Sequence, residues 1–419
     1  MTIVPKFSQA GVHEAVAGKR PLAGVRILDF GQVILLPFAT RWLAWLGAEV
    51  ILIESSKRAF QRVTPPFAHG RPGVNTGARF NTMNNNKIGC TLNLKSPEGI
   101  DLAKRLVGIS DVVVENFSTG TMEKLGLAYP ALQKIKPDII YLSASAFGRT
   151  GSWKDYAGYH SSVNAFSGVA QVTGYAGGPP RLLGAVLPDT IGGIYITFAL
   201  MLALLHRQRT GAGGYIDFSM LEGMMTLIPQ PILDYTMNAR EWTRVGNRDA
   251  LKAPHGIYRC RGDDRWLAIS VATQAEWQSL CAVAGRPDWL GDSRFGDEAG
   301  RQKYAQELDA LIETWTTGLD AEEATRQLQS AGVAAGPVLS VAQLLEDPHL
   351  KARGFVVDID HPEAGPRKTV GLPWRIADVP EPDYDRAPLL GEHNDHVFKE
   401  LLGLSDIEVQ ELIDKRVIE

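Results

Sequence analysis

The sequence predicts an α/β fold: a Rossmann-like, doubly wound parallel sheet domain with a second, smaller α+β domain. Short apolar runs alternate with amphipathic helical segments from Val25 to Met220, which is typical of a parallel sheet with helices on both faces. The chain has 419 residues, 45% of them hydrophobic, and is long enough to bury two cores. No G-x-G-x-x-G motif follows the first strand, so a nicotinamide or flavin cofactor is not predicted.

The individual elements follow in order along the chain. VRILDF begins at Val25 as a strand, a helix runs through Ala39 to Gly47, and EVILIE is the next strand. Ser96 is a predicted helix cap with Pro97 in the first turn, and the strand DVVVENF follows that helix. PDIIYLSAS is a further buried strand, and a long apolar helix then leads into the strand YIDFSM. This order predicts parallel βαβ units.

The predicted domain limits follow from changes in this pattern. Residues 1–225 form the first part of the large Rossmann-like domain, and residues 226–256 form a linker rich in turn-forming residues. Residues 257–345 combine two strand-like runs, IYRCRG and WLAISV, with helical segments, which predicts the smaller α+β domain. Residues 346–419 return to the large domain and close with an amphipathic helix in RAPLLGEHNDHVFKELLGL.

Composition argues against several functional classes. The 43 basic and 47 acidic residues are mixed along the sequence, so neither nucleic acid nor a membrane surface is a predicted partner. The three cysteines, Cys90, Cys260 and Cys281, lack disulfide or metal-site spacing, and the histidines do not cluster with acidic residues, so no metal is predicted. The N-terminal segment has no apolar core, and the apolar run 194–205 is too short for a bilayer, which predicts a cytoplasmic protein.

Asp189 is the strongest candidate functional residue, because it is the only charged side chain in LLGAVLPDTIGGIYITFALMLALLH. Pro-Asp-Thr before an apolar helix is also the pattern of an N-cap aspartate, so a capping role stays open. A helix N-terminus favours an ionised carboxylate, which a nucleophile must be. Gly192 and Gly193 are expected to leave open space beside the carboxylate for a substrate. The two roles, cap and nucleophile, are compatible.

Other polar residues follow the predicted strands, where α/β proteins bind ligands. The recurrence of basic residues there favours a phosphorylated ligand over ordinary solvated charges; these residues include Lys57, Arg62, Lys87, Lys124 and Arg149. Tyr159 and His160 precede a predicted helix. His160 is either an acid or base near neutral pH or a histidine hydrogen-bonded at the helix start. Spacing alone does not pair His160 with Asp189.

Several motifs together resemble the class III coenzyme A transferase family, which includes formyl-CoA and carnitine CoA-transferases. They run in order from about Pro21 to the C-terminus: PLAGVRILDF, GAEVILIE, LNLKSPEG, DVVVENFSTGTMEKLGL, AFGRTG, LLHRQRTGAGGYIDFSMLEG, GVAAGPV and RAPLLGEHND. The resemblance implies a transferase that moves CoA from an acyl-CoA to a small carboxylic acid, with CoA thioesters as substrates and no permanently bound cofactor. It also implies an interlocked, ring-like dimer, either a homodimer or a heteromer with a paralogous subunit.

The family's residue roles carry over by position. Its covalent nucleophile matches Asp189, and His160 is the second predicted catalytic residue. The position of CoA in the family implicates Val33, Arg62, Lys87, Asn116, Phe117, Lys124 and Tyr159. In the implied mechanism, Asp189 attacks the donor thioester and then carries CoA as an aspartyl thioester. Backbone amides around Gly192 and in residues 246–256 are candidate oxyanion donors.

Three departures from the family pattern bear on the substrate. His160 replaces the usual acidic residue, and a cationic imidazole there favours a dicarboxylic acid. Ile34 and Leu35 replace a glutamine and a small residue of formyl-CoA transferases, and the tetraglycine loop of the oxalate enzyme is missing. These changes argue against oxalate and for a bulkier acid. The GYH sequence also resembles the succinyl-CoA:benzylsuccinate branch, which implies succinyl-CoA as donor and a dicarboxylic or aryl-substituted succinate as acceptor.

Two other functions stay open. An α-methylacyl-CoA racemase or epimerase shares the fold, but its histidine would align with Tyr159 rather than His160. The second alternative is a non-catalytic CoA-binding subunit of a heteromeric transferase. Asp189 speaks against that alternative, because a silent subunit does not need the carboxylate.

Overall fold

A computed structural model describes residues 20–184 and 186–419. The described chain separates into two compact units. Of the described residues, the first unit contains 20–169, Leu183–Pro229 and Lys351–Glu419, and the second contains Ala170–Leu182 and Gln230–Leu350. The predicted catalytic and CoA-binding residues all belong to the first unit, whereas residues 246–256, predicted as oxyanion donors, belong to the second.

A six-stranded parallel sheet forms the centre of the first unit, with the strand order β3-β2-β1-β4-β5-β6. The strands are β1 (Arg26–Asp29), β2 (Glu49–Glu54), β3 (Ile88–Thr91), β4 (Val112–Glu115), β5 (Ile140–Ser145) and β6 (Gly214–Ser219). The order reverses between β1 and β4, as in a doubly wound Rossmann-like sheet. The predicted fold class is confirmed.

Helices cover both faces of this sheet. The helices of the first unit up to residue 229 are α1 (Leu35–Trp45), α2 (Ala78–Met83), α3 (Pro97–Gly108), α4 (Thr121–Lys124), α5 (Tyr129–Ile135), α6 (His160–Phe166), α8 (Leu187–Thr210) and α9 (Met220–Met225). α7 (Val169–Val172) and α10 (Pro229–Asn238) belong almost entirely to the second unit. One core joins α1 and α8 to Val112 and Val114, and the other joins α3 to Val113. Because β4 faces a core on each side, its sequence is a continuous apolar run.

The second unit contains an antiparallel sheet of order β7-β8-β9. Its strands are β7 (His255–Arg259), β8 (Trp266–Ser270) and β9 (Ala334–Pro337), and its helices include α11 (Gln274–Ala284), α12 (Pro287–Gly291), α13 (Glu298–Lys303), α14 (Ala305–Thr316), α15 (Ala321–Ser330) and α16 (Val341–Glu346). Trp277 and Trp289 stack in its core with ring centroids 6.2 Å apart. The α+β character is confirmed; the limits 257–345 stay a prediction.

The C-terminal part of the chain is less helical than predicted. It contains α17 (Pro348–Ala352), the hairpin β10 (Val356–Ile359) and β11 (Arg367–Val370), a π-helix (His396–Leu401) and α18 (Asp406–Asp414). Residues 386–393, predicted as part of the closing helix, are not helical. Pro388 lacks a backbone N–H, and Gly391 has a φ of 69°, so neither residue continues a helix.

Two helix starts test the capping predictions. Ser96 caps α3 as predicted, and its Oγ accepts a hydrogen bond from the Gly99 N–H at 3.0 Å. Asp189 is not the N-cap of α8, because that helix begins at Leu187 with Pro188 in its first turn. The capping alternative is therefore wrong. At 24 residues, α8 is longer than the predicted apolar run, and by length and composition alone it could cross a membrane.

Candidate active site

The loops after β1 and β4 meet where the strand order reverses. Asn116 follows β4, and its Oδ1 accepts a hydrogen bond from the Gln32 backbone N–H at 2.7 Å. Asn116 Nδ2 donates to the Gln32 carbonyl at 3.0 Å. An asparagine suits this place because its amide is both donor and acceptor. Asn116 therefore joins two loops at the point where doubly wound sheets bind ligands.

Val33, in the loop after β1, has a strained backbone. Its φ of 67° lies in the left-handed region that β-branched residues avoid. Its backbone N–H donates to Gln61 Oε1 at 3.2 Å. Strain of this kind persists where the surrounding structure demands it, often at functional sites. The turn leads directly into α1, whose N-cap Ile34 makes no side-chain capping bond.

Gly192 and Gly193 let α8 pack closely on α1. A Cβ at Gly192 would lie 2.7 Å from Leu35 Cδ1, and one at Gly193 would lie 2.6 Å from Phe38 Cδ1 and 3.1 Å from the Leu35 carbonyl. The expected open space beside these glycines is therefore wrong, because α1 fills it. The Leu35 side chain, predicted to shape the acceptor site, is buried in this packing.

The Gly192 amide is also a poor oxyanion donor. It lies in the second turn of α8, where amides donate to carbonyls four residues earlier. The first N–H groups of α1 are better placed, because helix N-termini leave such groups unpaired. Residues 246–256 belong to the second unit, and their oxyanion role stays a prediction.

Asp189 lies in the first turn of α8 with only 8% of its surface exposed. Burial raises the pKa of Asp189 to about 6, because the charged carboxylate loses its hydration. The rise is opposed, from the largest effect to the smallest, by the His160 charge, the Asp189 N–H, the Arg79 charge and the Leu35 N–H. The carboxylate is therefore mostly ionised at neutral pH, close to His160, Arg79 and the start of α1.

The structure brings His160 to Asp189, which sequence spacing could not show. His160 is the first residue of α6 and is partly buried. The start of α6 is held by Ser162, whose Oγ accepts a hydrogen bond from the Tyr159 N–H at 2.9 Å. The Tyr159 side chain itself is 72% exposed. A catalytic role for His160 and CoA binding by Tyr159 stay predictions.

A cleft of about 370 Å³ lies at the carboxyl ends of β1 to β4. Its walls are Phe30, Gln32, Ile53, Glu54, Ser55, Lys57, Gln61, Leu92, Asn93, Leu94, Lys95, Phe117, Thr121 and Leu125. Phe117 was predicted as a site residue, whereas the segment Leu92–Lys95 was missed. From the sequence, LNLKSPEG is a family marker and, through Ser96 and Pro97, a helix start. Recognising β3, the unpredicted strand directly before it, would have placed the segment here.

Two predicted CoA contacts, Arg62 and Lys87, are structural instead. The Arg62 side chain is fully buried, and its Nε donates to Glu54 Oε1 at 2.8 Å while its guanidinium stacks 3.6 Å from the Phe80 ring centroid. Lys87 is equally buried, with Nζ 3.0 Å from Asp29 Oδ2. These predictions are wrong, because a cation enclosed with its own acidic partner presents no charge to a phosphate.

Lys124 and Arg79 differ from these buried cations. Lys124 is exposed at the end of α4, and Arg79 is partly buried on α2. Neither makes an ion pair within residues 20–184 and 186–419. Arg79 was not singled out in the sequence, because nothing in its local spacing relates it to Asp189. CoA binding by Lys124 and Val33 stays a prediction.

Comparisons with known proteins agree with this geometry. Residues 22–394 match CoA-transferase family III. The chain is 33% identical over 420 residues to a formyl-CoA:oxalate CoA-transferase of Rhodopseudomonas palustris strain BisA53, covering 96% of this chain and 98% of that protein. It is 32% identical over 400 residues to a succinyl-CoA--D-citramalate CoA-transferase of Chloroflexus aurantiacus, covering 95% and 98%.

A similar crystal structure is that of a CaiB/BaiF family protein from Brucella suis. It matches with a TM-score of 0.84 and 30% identity over 91% of this chain and 100% of that chain. The family match, the relatives and the fold agree across nearly the whole sequence. The chain belongs to CoA-transferase family III.

Proposed function

We propose that this CoA-transferase works through a covalent intermediate on Asp189. The observation that carries the proposal is a buried, ionisable carboxylate at the adjoining starts of α1 and α8, beside His160. Helix N-termini favour the anionic form of a carboxylate, and burial removes water whose hydrogen bonds would lower its nucleophilicity. A carboxylate held in this way suits attack on a thioester.

The proposed reaction runs through anhydrides and thioesters. An Asp189 oxygen attacks the donor carbonyl, the C–S bond breaks, and CoA leaves as a thiolate. The thiolate attacks the Asp189 carbonyl carbon of the resulting mixed anhydride, which releases the donor acid and leaves CoA on Asp189 as a thioester. The acceptor carboxylate then repeats the exchange in reverse and regenerates the Asp189 carboxylate. The Leu35 N–H is our proposed oxyanion donor.

We propose succinyl-CoA as donor and a dicarboxylic acid as acceptor. His160 and the Arg79 guanidinium are partly buried, and both act electrostatically on Asp189. Arg79 has no ion pair in the described chain, so its guanidinium is available to a second carboxylate of the acyl group. The acceptors in the names of both curated relatives, oxalate and D-citramalate, are dicarboxylic acids. An ion pair between the Arg79 guanidinium and the second carboxylate would select dicarboxylic acids, and His160 alone would not provide it.

We propose that the nucleotide end of CoA occupies the cleft beside Phe117. The cleft lies at the sheet edge and combines apolar walls with two exposed lysines, Lys57 and Lys95. Lys57 pairs with Glu419 at 3.2 Å, whereas Lys95 has no ion pair in the described ranges. Lys124 lies on α4, which also supplies Thr121 to the cleft. Cations at these positions suit the phosphates of CoA.

We propose that a second chain, either another copy or a paralogue, covers the outer side of α8. That side exposes large apolar residues, among them Ile194, Phe198, Leu202 and Leu205. Soluble proteins use such surfaces as interfaces. The interlocked dimer implied by the family would cover this helix with protein.

The three buried, unpaired cysteines suit a reducing compartment, and we propose that the enzyme works in the cytoplasm.

Intact-protein mass spectrometry tests the covalent step. Wild type and Asp189→Ala are incubated with succinyl-CoA, malonyl-CoA or acetyl-CoA and then trapped with hydroxylamine or borohydride. We expect an acyl or CoA adduct before trapping and a hydroxamate or reduced alcohol at Asp189 after it, and we expect both to be absent from the variant. Solvent deuterium entering the acyl α-carbon without an adduct would favour the racemase. Activity only after addition of a paralogous chain would favour the silent subunit.

A further inference from the structure

Arg149 follows β5 at the sheet edge, and its guanidinium is bound by groups of the protein itself. Its Nε donates to Ser143 Oγ at 2.6 Å, and its Nη1 donates to Thr119 Oγ1 at 3.2 Å. Its Nη2 donates to Glu115 Oε1 at 3.0 Å and to the Phe117 carbonyl at 2.9 Å. All three guanidinium nitrogens are therefore engaged inside the protein. The expectation that Arg149 binds a phosphate is wrong.

Glu115 completes the arrangement from the other side. It is the last residue of β4, is 2% exposed, and its Oε2 accepts a hydrogen bond from the Phe117 N–H at 2.8 Å. Burial raises the pKa of Glu115, and the Arg149 charge opposes that rise. Glu115 and Arg149 thus bind the backbone N–H and the carbonyl of the same residue, Phe117. We call this ion pair the Phe117 clamp.

We propose that the Phe117 clamp is a positioning device for CoA binding. By fixing both backbone groups of Phe117, it holds the turn in which Asn116 bonds to Gln32 and Phe117 lines the cleft. A turn held in place before CoA arrives loses less conformational freedom on binding. The proposal rests on the proposed function, because it assumes that the cleft beside Phe117 binds CoA.

The geometry requires an arginine. Its planar fork reaches Glu115, Ser143 and the Phe117 carbonyl at once, whereas a lysine ammonium is a point charge on a flexible stem. Arg149→Lys therefore keeps the charge near Glu115 but gives up part of the hold on Phe117. Arg149→Gln removes both. The two variants separate charge balance from positioning.

The opposite end of β4 offers a matched control. Asp111 precedes β4 and pairs with Arg207, with Nη2 to Oδ1 at 2.9 Å. The arginine side chains of the two pairs are similarly buried, at 16% exposed for Arg207 and 13% for Arg149. Arg207→Gln therefore also breaks a partly buried ion pair at one end of the same strand. It does so away from Phe117.

Isothermal titration of free CoA into the full-length protein tests the proposal, with folding checked by thermal melting. We expect the Kd to rise about tenfold in Arg149→Gln, about threefold in Arg149→Lys and less than twofold in Arg207→Gln. Hydrogen exchange of residues 112–120 should quicken only in the Arg149 variants. If Arg149→Gln does not fold, the Kd and hydrogen exchange of Arg149→Lys alone test the proposal, because the lysine keeps a positive charge beside Glu115 and this variant should fold.

The outcomes are distinguishable. A wild-type Kd in Arg149→Lys and Arg149→Gln, or equal weakening in Arg207→Gln, would overturn positioning while CoA binding by wild type still stands. Wild-type protein that binds no CoA would overturn the CoA-binding cleft, and the clamp's role with it. Weakening confined to the Arg149 variants, with quicker exchange at Phe117, supports the clamp.

Discussion

Two buried aspartates of the first unit have opposite surroundings. Asp29 ends β1, fully buried, and accepts hydrogen bonds from Lys87 Nζ at 3.0 Å, Thr40 Oγ1 at 2.7 Å and the Gly31 N–H at 2.7 Å. Asp189 is nearly as buried but makes no ion pair in the described chain, and the cations that act on it do so from a distance. Asp29 is thus paired with a cation at hydrogen-bond distance, whereas Asp189 accepts hydrogen bonds from the Asp189 and Leu35 backbone N–H groups and has no such cation.

The comparison implies a conflict between stability and function at Asp189. A carboxylate whose pKa is raised on folding binds its proton more tightly in the native state. Its favourable contribution to stability is present below the unfolded-state pKa of about 3.9 and is lost as the pH rises through about 6. At neutral pH the protein keeps a destabilising charge at this position.

The largest expected effect comes from Asp189→Asn. The amide cannot attack a thioester, so we expect CoA transfer to fall by at least about 10³-fold. The free energy of unfolding at pH 8 should rise by about 1–3 kcal/mol, because a buried charge is removed. Activity assays and urea unfolding check both parts. If Asp189→Asn lost activity and also lowered the free energy of unfolding, Asp189 would have a structural role like that of Asp29.

Asp29→Asn should show the reverse pattern. It leaves the buried Lys87 ammonium without its acidic partner, and we expect unfolding to become easier by about 3–5 kcal/mol. The specific activity of the remaining folded protein should stay within about threefold of wild type. Denaturant titration and active-site counting by adduct formation separate these quantities. If well-folded Asp29→Asn lost all activity, Asp29 would not be a purely structural residue, and the contrast with Asp189 would fail.

The pH dependence of acylation sharpens the comparison. Because the pKa of Asp189 is raised to about 6, about a tenth of the molecules carry the attacking carboxylate at pH 5. We expect the single-turnover acylation rate to fall about tenfold from pH 8 to pH 5, with an acid limb near pH 6. Rapid-quench mass spectrometry measures it. A limb near pH 4 would mean that Asp189 is solvated like a surface carboxylate.

The smallest expected effect comes from Gly193→Ala. The new methyl group would meet Phe38 Cδ1 at 2.6 Å and the Leu35 carbonyl at 3.1 Å, which would push α8 away from α1. We expect unfolding to become easier by about 1–3 kcal/mol and acylation to slow several-fold. Gly214→Ala is the control, because no atom lies within 4 Å of its added Cβ. If Gly193→Ala and Gly214→Ala had the same stability and the same acylation rate, close packing of α8 on α1 would not be needed to position Asp189.

The fold was predictable because the strands of a doubly wound sheet are buried on both faces and form apolar runs such as VVV in β4. Asp189 was predictable because one charge stands out in a long apolar segment. The limits of the closing helix were not, because Pro388 and Gly391 sit inside a pattern that is otherwise helical.

The roles of the cations were not predictable from their places along the chain. Arg62 and Arg149 follow strand ends, as ligand-binding residues do, and Lys87 directly precedes β3, but each meets an acidic partner that a single sequence does not reveal. Glu54, Asp29 and Glu115 also end strands, so the sheet edge is where strand carboxylates and loop cations pair. Arg79 was missed because only the packing of the chain relates it to Asp189.

The burial of the three cysteines bears on chemical selectivity. Burial raises the pKa of Cys90 and of Cys260, and raises that of Cys281 to about 12, so none of the three is a thiolate at neutral pH. A mixed anhydride is an acylating agent that any nearby thiolate of the protein would intercept. In the mechanism proposed here, the three protonated, enclosed cysteine thiols leave the sulfur of CoA as the thiolate that competes for the activated acyl group.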